Sequence, residues 1–446
     1  MTDLLIKNAR LVNEGDTKDA DVLIKGERIE QVGSGIAAVD NVQVIDADGK
    51  LLFPGMIDDQ VHFREPGLTN KGDMATESAA AVAGGVTSFM DMPNTNPQTT
   101  TREAVAAKYR LAEGRCRANY AFYLGATNRN IEEIKALEPG EVCGIKAFMG
   151  ASTGDMLVDD PQALDLLFKH APTIITTHCE HSPTIRDNEA RAKDKYGEKV
   201  PMAEHPNIRS ANACLQSSSQ AVNLARQHDA LLHVLHLTTA IEMKLFSKAH
   251  RGDKRITAEV CVHHLWFDDS RYKDLGARIK CNPAIKSADD RAALIKAVNE
   301  GRIDIIATDH APHTISEKGK SYFKAPAGLP LVQHVLLCLM DMVADGQLTY
   351  ELVADRTSHA IADIFEVKER GYVREGYFAD LVLIDPQAPQ LVTPGSLLAK
   401  CHWSPFEGHT FSSSIDTTIV NGTIAYRDGT VSEAIAGRRL DSGRRR

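Results

Sequence analysis

Several residues that could bind a metal ion lie on short apolar runs that recur along the middle of the chain. They are His62, Lys146, His178, His236 and Asp309, on the first, fourth, fifth, sixth and eighth of these runs. Taken alone, a histidine at the end of a strand is more often a packing or hydrogen-bonding residue than a ligand. Because the carboxyl ends of barrel strands meet at one face, the five residues together predict a metal site.

Lys146 is the unusual member of this set, because a lysine amine is ordinarily protonated at neutral pH. Burial beside a metal lowers the pKa of such an amine, and the free amine can take up carbon dioxide as a carbamate. A carbamate presents two oxygens and can bridge two cations about 3.5–4 Å apart. An ion pair with Asp309 or with a neighbouring carboxylate is the alternative that the sequence leaves open for Lys146. Imidazole, carbamate and carboxylate ligands favour zinc, as one or two ions, with cobalt or manganese as alternatives.

Alternating strands and helices must position these residues. Eight apolar runs, separated by helical patterns, occupy 55–63, 86–92, 120–125, 143–149, 173–179, 231–237, 256–262 and 303–310. Eight such units in about 310 residues predict an α/β fold, a (β/α)₈ TIM barrel. A doubly wound open sheet would also alternate, but no G-x-G-x-x-G follows the first run.

Both ends of the chain read instead as short strands joined by turns. The length of 446 residues exceeds what one hydrophobic core usually organises. We therefore predict a small β-sandwich built from both termini. The expected boundaries are 1–53 and 370–446 for the sandwich and 54–369 for the metal-dependent barrel, and Asn421-Gly422 predicts a hairpin turn in the second part.

Charge and composition exclude several classes of partner. The formal net charge of −9 argues against nucleic acid, and no apolar stretch approaches the roughly 20 residues that span a bilayer. Residues 1–7 lack the pattern of a signal peptide, and the eight cysteines are scattered without a C-x-x-C pair. We expect a cytoplasmic enzyme with reduced thiols, a small-molecule substrate, and neither nucleic acid nor a membrane as partner.

Three segments carry a family resemblance: 59–67 (DQVHFREPG), 92–95 (MPNT) and 308–313 (TDHAPH). With Asn282-Pro283 and 325–328 (APAG), they resemble the signature segments of dihydroorotase, in order and over nearly the whole chain. Dihydroorotase is the amidohydrolase that interconverts N-carbamoyl-aspartate and dihydroorotate in pyrimidine synthesis. The resemblance implies a barrel with a composite β-sandwich, zinc, and reversible hydrolysis of a ring.

The resemblance also implies roles for individual residues. Metal binding falls to His62, Lys146, His178, His236 and Asp309; substrate binding falls to Arg64, Asn94 and His313 at the carboxylate and to Asn282 and the backbone near Gly328 at the ring. Asp309 is the expected catalytic acid and base, since it would face the substrate while bound to metal. For His233, three residues before His236, we expect a structural role on the opposite face of the strand, one layer down. Residues 314–325 predict either a mobile loop over the site or an ordinary surface loop.

Arg64 points to the class of substrate. A guanidinium binds a carboxylate such as that of dihydroorotate through two parallel hydrogen bonds. Dihydropyrimidinases and hydantoinases act on rings without that carboxylate and lack the arginine, and allantoinases have asparagine at the position of Arg64. A surface arginine, or one paired with Glu65, is the plain alternative, and an allantoinase or dihydropyrimidinase-type cyclic amidase is the alternative function.

Gln60 departs from the family pattern, which places two histidines two residues apart on the first strand. An amide oxygen is a much weaker zinc ligand than imidazole. Three outcomes stay open: two metals, one metal at His178 and His236, or a degenerate site without metal. The last would make the chain a non-catalytic partner of aspartate transcarbamoylase. That association and a homodimer are both compatible with the sequence.

Overall fold

The two ends of the chain meet in a β domain. The computed structural model describes residues 3–38, 41–150, 156–444 and 446. The N-terminal strands are β1 (Asp3–Asn13), β2 (Asp16–Lys25), β3 (Arg28–Gly33), β4 (Val42–Asp46) and β5 (Leu51–Pro54). Glu14 and Gly15 both adopt positive φ in the turn between β1 and β2, which is the conformation that suits a tight hairpin.

The middle of the chain forms the (β/α)₈ barrel, as predicted. Its strands are β6 (Met56–Val61), β7 (Val86–Asp91), β8 (Asn119–Phe122), β9 (Leu124–Gly125), β10 (Ile145–Phe148), β11 (Ile175–His178), β12 (Leu232–Val234), β13 (Ile256–Cys261) and β14 (Ile305–Ala307). β8 and β9 lie on either side of Tyr123 and together occupy the third strand position. Each of the eight apolar runs thus coincides with one strand position of the barrel.

Hydrogen bonding around the barrel is interrupted. β6, β7 and β8 form a three-stranded sheet, and β9 to β14 form a six-stranded parallel sheet. A single parallel bridge between Val61 and His310 joins the first strand to the end of the eighth, and the amide of His62 donates to the carbonyl of His310 at 2.7 Å. These contacts bring two of the predicted signature segments side by side.

The last strands return to the β domain. They are β15 (Leu381–Asp385), β16 (Gln390–Leu391), β17 (Thr410–Phe411), β18 (Ser414–Val420), β19 (Thr423–Arg427) and β20 (Thr430–Val431). β5 pairs with both β1 and β15, so strands from the two ends of the chain form one nine-stranded sheet. The predicted β18–β19 hairpin is confirmed, with Asn421 and Gly422 at positive φ in its turn.

Helices cover the outside of the barrel. They are α1 (Met74–Ala83), α2 (Arg102–Ala112), α3 (Ile131–Lys135), α4 (Pro161–His170), α5 (Ser182–Tyr196), α6 (His205–Ile208), α7 (Ala211–His228), α8 (Val262–Trp266), α9 (Tyr272–Leu275), α10 (Ala288–Asn299), α11 (Ile315–Lys318), α12 (Val335–Ala344), α13 (Tyr350–Ala354) and α14 (Ala360–Ile364). Side-chain caps start several of them; Ser287, for example, accepts from the amide of Asp290 at the start of α10. Among the described helices, none is long and apolar enough to cross a membrane.

A separate apolar cluster fills the lower part of the barrel interior. It includes Ile57 of β6, Tyr123 between β8 and β9, Leu235 directly after β12, and Phe365, which directly follows α14. This packing closes the amino-terminal end of the barrel and leaves polar side chains to the carboxyl end.

Candidate functional site

A cavity of about 370 Å³ lies at the carboxyl ends of the barrel strands. Every residue that the sequence analysis proposed for metal or substrate lines it: His62, Arg64, Asn94, Lys146, His178, His236, Asn282, Asp309, His313 and Gly328. Gln60 lines the same cavity. Residues separated by up to 268 positions in sequence therefore share one concave and largely buried site.

His62 lies between an amide and a carboxylate. Its Nδ1 is 2.7 Å from Oδ1 of Asn94 and donates to that oxygen. Its Nε2 is 3.0 Å from Oδ1 of Asp309. With the proton on Nδ1, the lone pair on Nε2 faces the carboxylate oxygen. Two acceptors so close suit a cation held between them, with Asn94 fixing the tautomer of the imidazole.

His178 and His236 form a second pair of imidazoles, with ring centroids 4.5 Å apart. Nε2 of His178 is 2.8 Å from Oε2 of Glu180, which leaves Nδ1 for another partner. Nδ1 of His236 is buried and has no hydrogen-bond partner within the described residues. Burial lowers the pKa of both rings, so both are neutral, the form that binds metal.

Lys146 projects from β10 and is almost fully buried. Burial lowers the pKa of its amine to about 8. The Nζ atom lies 4.7 Å from the centre of the Phe148 ring. At this pKa about a tenth of the amine is uncharged at pH 7, and carbamate formation uses that uncharged form.

Arg64 and His313 lie side by side on another part of the cavity wall. The Nε of Arg64 donates to the carbonyl of Pro312 at 3.0 Å, and Nη2 lies 3.0 Å from Nε2 of His313. Lys71 lies behind them, with Nζ 3.1 Å from Nδ1 of His313. Burial lowers the pKa of Arg64 to about 10, so the guanidinium stays charged at neutral pH. A buried cationic group of this kind is suited to an anionic group on a ligand.

Gln60 is held by its neighbours. Its Nε2 donates to Oδ1 of Asp309 at 3.2 Å, and its Oε1 accepts from Sγ of Cys261 at 3.8 Å. The amide therefore takes part in the same group of side chains as His62 without offering an imidazole nitrogen.

Three residues of the site have left-handed backbone conformations. Arg64, His236 and Asp309 have φ values of 71°, 37° and 50°. Residues other than glycine seldom adopt this region, and such conformations cluster at functional sites because the surrounding structure must hold them. At His236 the change of backbone direction also ends the alternation of the strand.

The backbone near Gly328 is fixed by buried lysines. The amide of Gly328 donates to the carbonyl of Lys280, and Nζ of Lys318 donates to the carbonyls of Lys280, Pro326 and Gly328 at 2.9–3.0 Å. A substrate contact here cannot use the amide of Gly328, which is already bonded. Residues 314–325, predicted as a loop, contain α11, which begins with a capping box of Thr314 and Glu317.

Some residues of the site were not predicted. Phe148, two residues after Lys146, lines the cavity. Glu180, two residues after His178, contacts the ring of His178. Because alternate residues of a strand share a face, the spacing of Phe148 could have revealed it. His233 was wrongly expected on the face opposite His236; it lies inside the barrel beside Asp59 and Glu259.

Comparison with known proteins agrees with this geometry. The model of the amidohydrolase family matches residues 51–425. A dihydroorotase of Halobacterium salinarum is 34% identical over 434 residues, covering 95% of this chain and 97% of that protein. An allantoinase of Bacillus velezensis is 31% identical, covering 96% of this chain and 94% of that protein.

Solved structures show the same architecture. The L-hydantoinase (dihydropyrimidinase) from Arthrobacter aurescens superposes with a TM-score of 0.93 at 25% identity, covering 99% of this chain and 100% of that one. The dihydropyrimidinase from Brevibacillus agri has a TM-score of 0.91 at 24% identity and covers 100% of this chain and 99% of that one. At such identity the second likeness concerns the fold alone.

Proposed function

The chain belongs to the amidohydrolase family and is a hydrolase of cyclic amides, and we propose that its substrate is dihydroorotate. The proposed reaction is the reversible, zinc-dependent hydrolysis of (S)-dihydroorotate to N-carbamoyl-L-aspartate, a step of pyrimidine biosynthesis. Relatives named dihydroorotase, including one 34% identical over 434 residues, support this choice.

The observation that carries the proposal is the buried guanidinium of Arg64 in the cavity wall. Its Nε and one Nη2 hydrogen have partners in Pro312 and His313, which leaves further N–H groups for a ligand. Asn94 uses its Oδ1 to accept from His62, so its Nδ2 amide remains a donor. These donors of Arg64 and Asn94 suit a carboxylate on the ring, and a neutral ring would leave the charge of Arg64 unpaired.

The donor set of the cavity fits a divalent metal, which members of this family generally use. We propose that His62, Lys146, His178, His236 and Asp309 hold it, with Lys146 carbamylated and zinc as the metal. The fit rests on the facing acceptors of His62 and Asp309 and on the unpartnered Nδ1 of His236. When bound, zinc would supply a water of lowered pKa and polarise the amide carbonyl.

The side chains of the site would then divide the remaining work. Arg64 and Asn94 hold the ring carboxylate, and Asn282, whose buried Oδ1 has no partner among the described residues, accepts from the ring. Asp309 takes the proton from the attacking water and delivers it to the ring nitrogen as the amide bond breaks. In the biosynthetic direction the same carboxylate takes the proton from the attacking nitrogen and delivers it to the departing hydroxide, which leaves as water.

An assay of the purified protein tests this function. Zinc-loaded protein in bicarbonate should cyclise N-carbamoyl-L-aspartate, and chelation should abolish the activity until zinc is restored. If protein with zinc and bicarbonate fails to turn over, the proposal is wrong and a non-catalytic partner of aspartate transcarbamoylase becomes the better account.

An allantoinase is the second candidate, since a relative of that name is 31% identical over 433 residues. Its substrate, allantoin, carries no carboxylate for the guanidinium of Arg64 to bind. Turnover of allantoin above that of dihydroorotate would favour this second function.

A further inference from the structure

A second group of metal-ligand side chains lies inside the barrel, outside the cavity lining. Asp59, His233 and Glu259 belong to β6, β12 and β13. Asp59 immediately precedes Gln60, and His233 lies three residues before His236, so the group is deeper in the barrel than the cavity. One ligand atom from each of the three lies within 4.8 Å of the others, and all three residues are 0% exposed.

The polar atoms at the centre of this group lack partners. Both carboxylate oxygens of Asp59, Nε2 of His233 and Oε2 of Glu259 are buried and have no hydrogen bond within the described part of the chain. Buried polar groups in folded proteins are nearly always hydrogen-bonded. Four unpartnered atoms in one place therefore indicate that something bound between them completes the group.

The separations of Nε2 of His233 from the two carboxylates are close to those between ligands in a coordination shell. Nε2 of His233 lies 3.4 Å from Oδ2 of Asp59 and 3.7 Å from Oε2 of Glu259. Hydrogen bonds from N–H to oxygen are ordinarily about 2.7–3.2 Å long. Ligands at zinc bond lengths of about 2.0–2.2 Å in a tetrahedron lie about 3.3–3.6 Å from one another.

The outer hydrogen bonds orient the same atoms inwards. Nδ1 of His233 lies 2.8 Å from the hydroxyl of Thr257 and donates to it, which leaves the Nε2 lone pair facing the two carboxylates. Oε1 of Glu259 accepts from the amide of His236 at 3.0 Å and from Sγ of Cys261 at 3.4 Å, which leaves Oε2 free. Such outer partners are typical of metal-binding histidines and carboxylates.

Charge balance favours a divalent cation. Two ionised carboxylates and a neutral imidazole carry a net charge of −2, which a divalent ion neutralises. We propose that Asp59, His233 and Glu259 bind a structural zinc ion, separate from the metal of the cavity. Through Glu259 the ion would fix the backbone of His236.

Protonation of His233 is the competing account. Burial lowers the pKa of this imidazole, but the neighbouring carboxylates of Asp59 and Glu259 outweigh burial and raise the pKa to about 9. The two accounts differ in what lies between the three side chains, which is an electron-dense ion in one and a proton in the other.

Crystals of protein produced in zinc-supplemented medium distinguish them. Anomalous difference maps from data on either side of the zinc edge should show a peak about 2.0–2.2 Å from Asp59, His233 and Glu259. The absence of a peak there overturns the proposal and leaves the imidazolium. This result does not depend on the proposed function. A metal ion in the cavity would give a separate peak, and its presence or absence does not change the peak expected between Asp59, His233 and Glu259.

Two variants test the same site in solution. Glu259→Gln and Asp59→Asn should each lower zinc content by one ion per chain while the circular dichroism spectrum is retained. Glu242→Gln is the matched control, since Glu242 is also a buried glutamate but bonds to Ser218 and Thr239 instead; it should keep the full zinc content. Unchanged zinc content in folded Glu259→Gln and Asp59→Asn would overturn the proposal.

Discussion

The side-chain amide of Gln60 donates to Oδ1 of Asp309 at 3.2 Å, the same oxygen that lies 3.0 Å from Nε2 of His62. A residue that departs from the family pattern thus still contacts the group that we propose as catalytic acid and base. Its neutral amide can support the carboxylate, but it supplies no imidazole for a metal.

Gln60→His should therefore strengthen metal binding in the cavity. The new imidazole would add a strong ligand beside His62 and Asp309, and we expect the apparent affinity for a zinc ion held there to rise by about tenfold or more. Zinc titration of chelator-treated protein measures this. Gln60→Leu, which removes the amide without adding a ligand, is the control and should give no gain. Equal affinity in Gln60→His and the parent protein would contradict the proposed ligand arrangement.

Arg64→Met should remove recognition of the substrate carboxylate. Because two charge-assisted hydrogen bonds contribute about 1.5–3 kcal/mol each, kcat/KM for dihydroorotate should fall by about 10²- to 10⁴-fold. Steady-state kinetics provide the measurement. Arg102→Lys is the matched control, since Arg102 pairs with Glu141 away from the cavity. A loss below fivefold in Arg64→Met would argue against a carboxylate-bearing substrate.

Carbamylation of Lys146 can be observed directly. Protein equilibrated with zinc and ¹³C-bicarbonate should show a carbamate carbon resonance that Lys146→Ala loses. Lys318 is also buried, but its Nζ donates to three backbone carbonyls and is not free to react; Lys318→Met should retain the resonance. A spectrum that is the same for the parent protein and Lys146→Ala would exclude the modification.

Gly328→Ala should disturb the substrate side of the cavity. Gly328 has a φ of 137°, and an added Cβ would lie 2.5 Å from the carbonyl oxygen of Ala311. We expect a stability loss of about 1–3 kcal/mol and a raised KM, measured by urea unfolding and kinetics. Gly319→Ala on the same segment is the control, because its φ is −74° and its nearest neighbour is 3.5 Å away. Wild-type stability and KM in Gly328→Ala would refute this view of the backbone.

Sequence patterns were sufficient for the barrel and for bringing His62, Lys146, His178, His236 and Asp309 to one cavity. The apolar runs and the polar residues at their ends are local features, so the run 256–262, for instance, contains β13 at Ile256–Cys261. Those patterns also place the chemistry at one end of the barrel, because all parallel strands end there.

Departures from strand alternation could not be predicted in this way. Asp59 and Gln60 are adjacent, and a regular strand would direct them to opposite faces. A register shift between Asp58 and Val61 allows Gln60 to reach Asp309 while Asp59 approaches His233. The left-handed backbone of His236, two residues after β12, likewise breaks the alternation, so that His236 lines the cavity while His233 lies beside Asp59 and Glu259. Both irregularities depend on neighbouring strands and leave no local signal.

The relative turnover of three cyclic amides tests the central claim most directly. With zinc-loaded protein in bicarbonate, we expect kcat/KM for dihydroorotate to exceed the values for dihydrouracil and allantoin by about 10²-fold or more, because the neutral rings leave the charge of Arg64 unpaired. Dihydrouracil or allantoin turned over as fast as dihydroorotate would contradict the account.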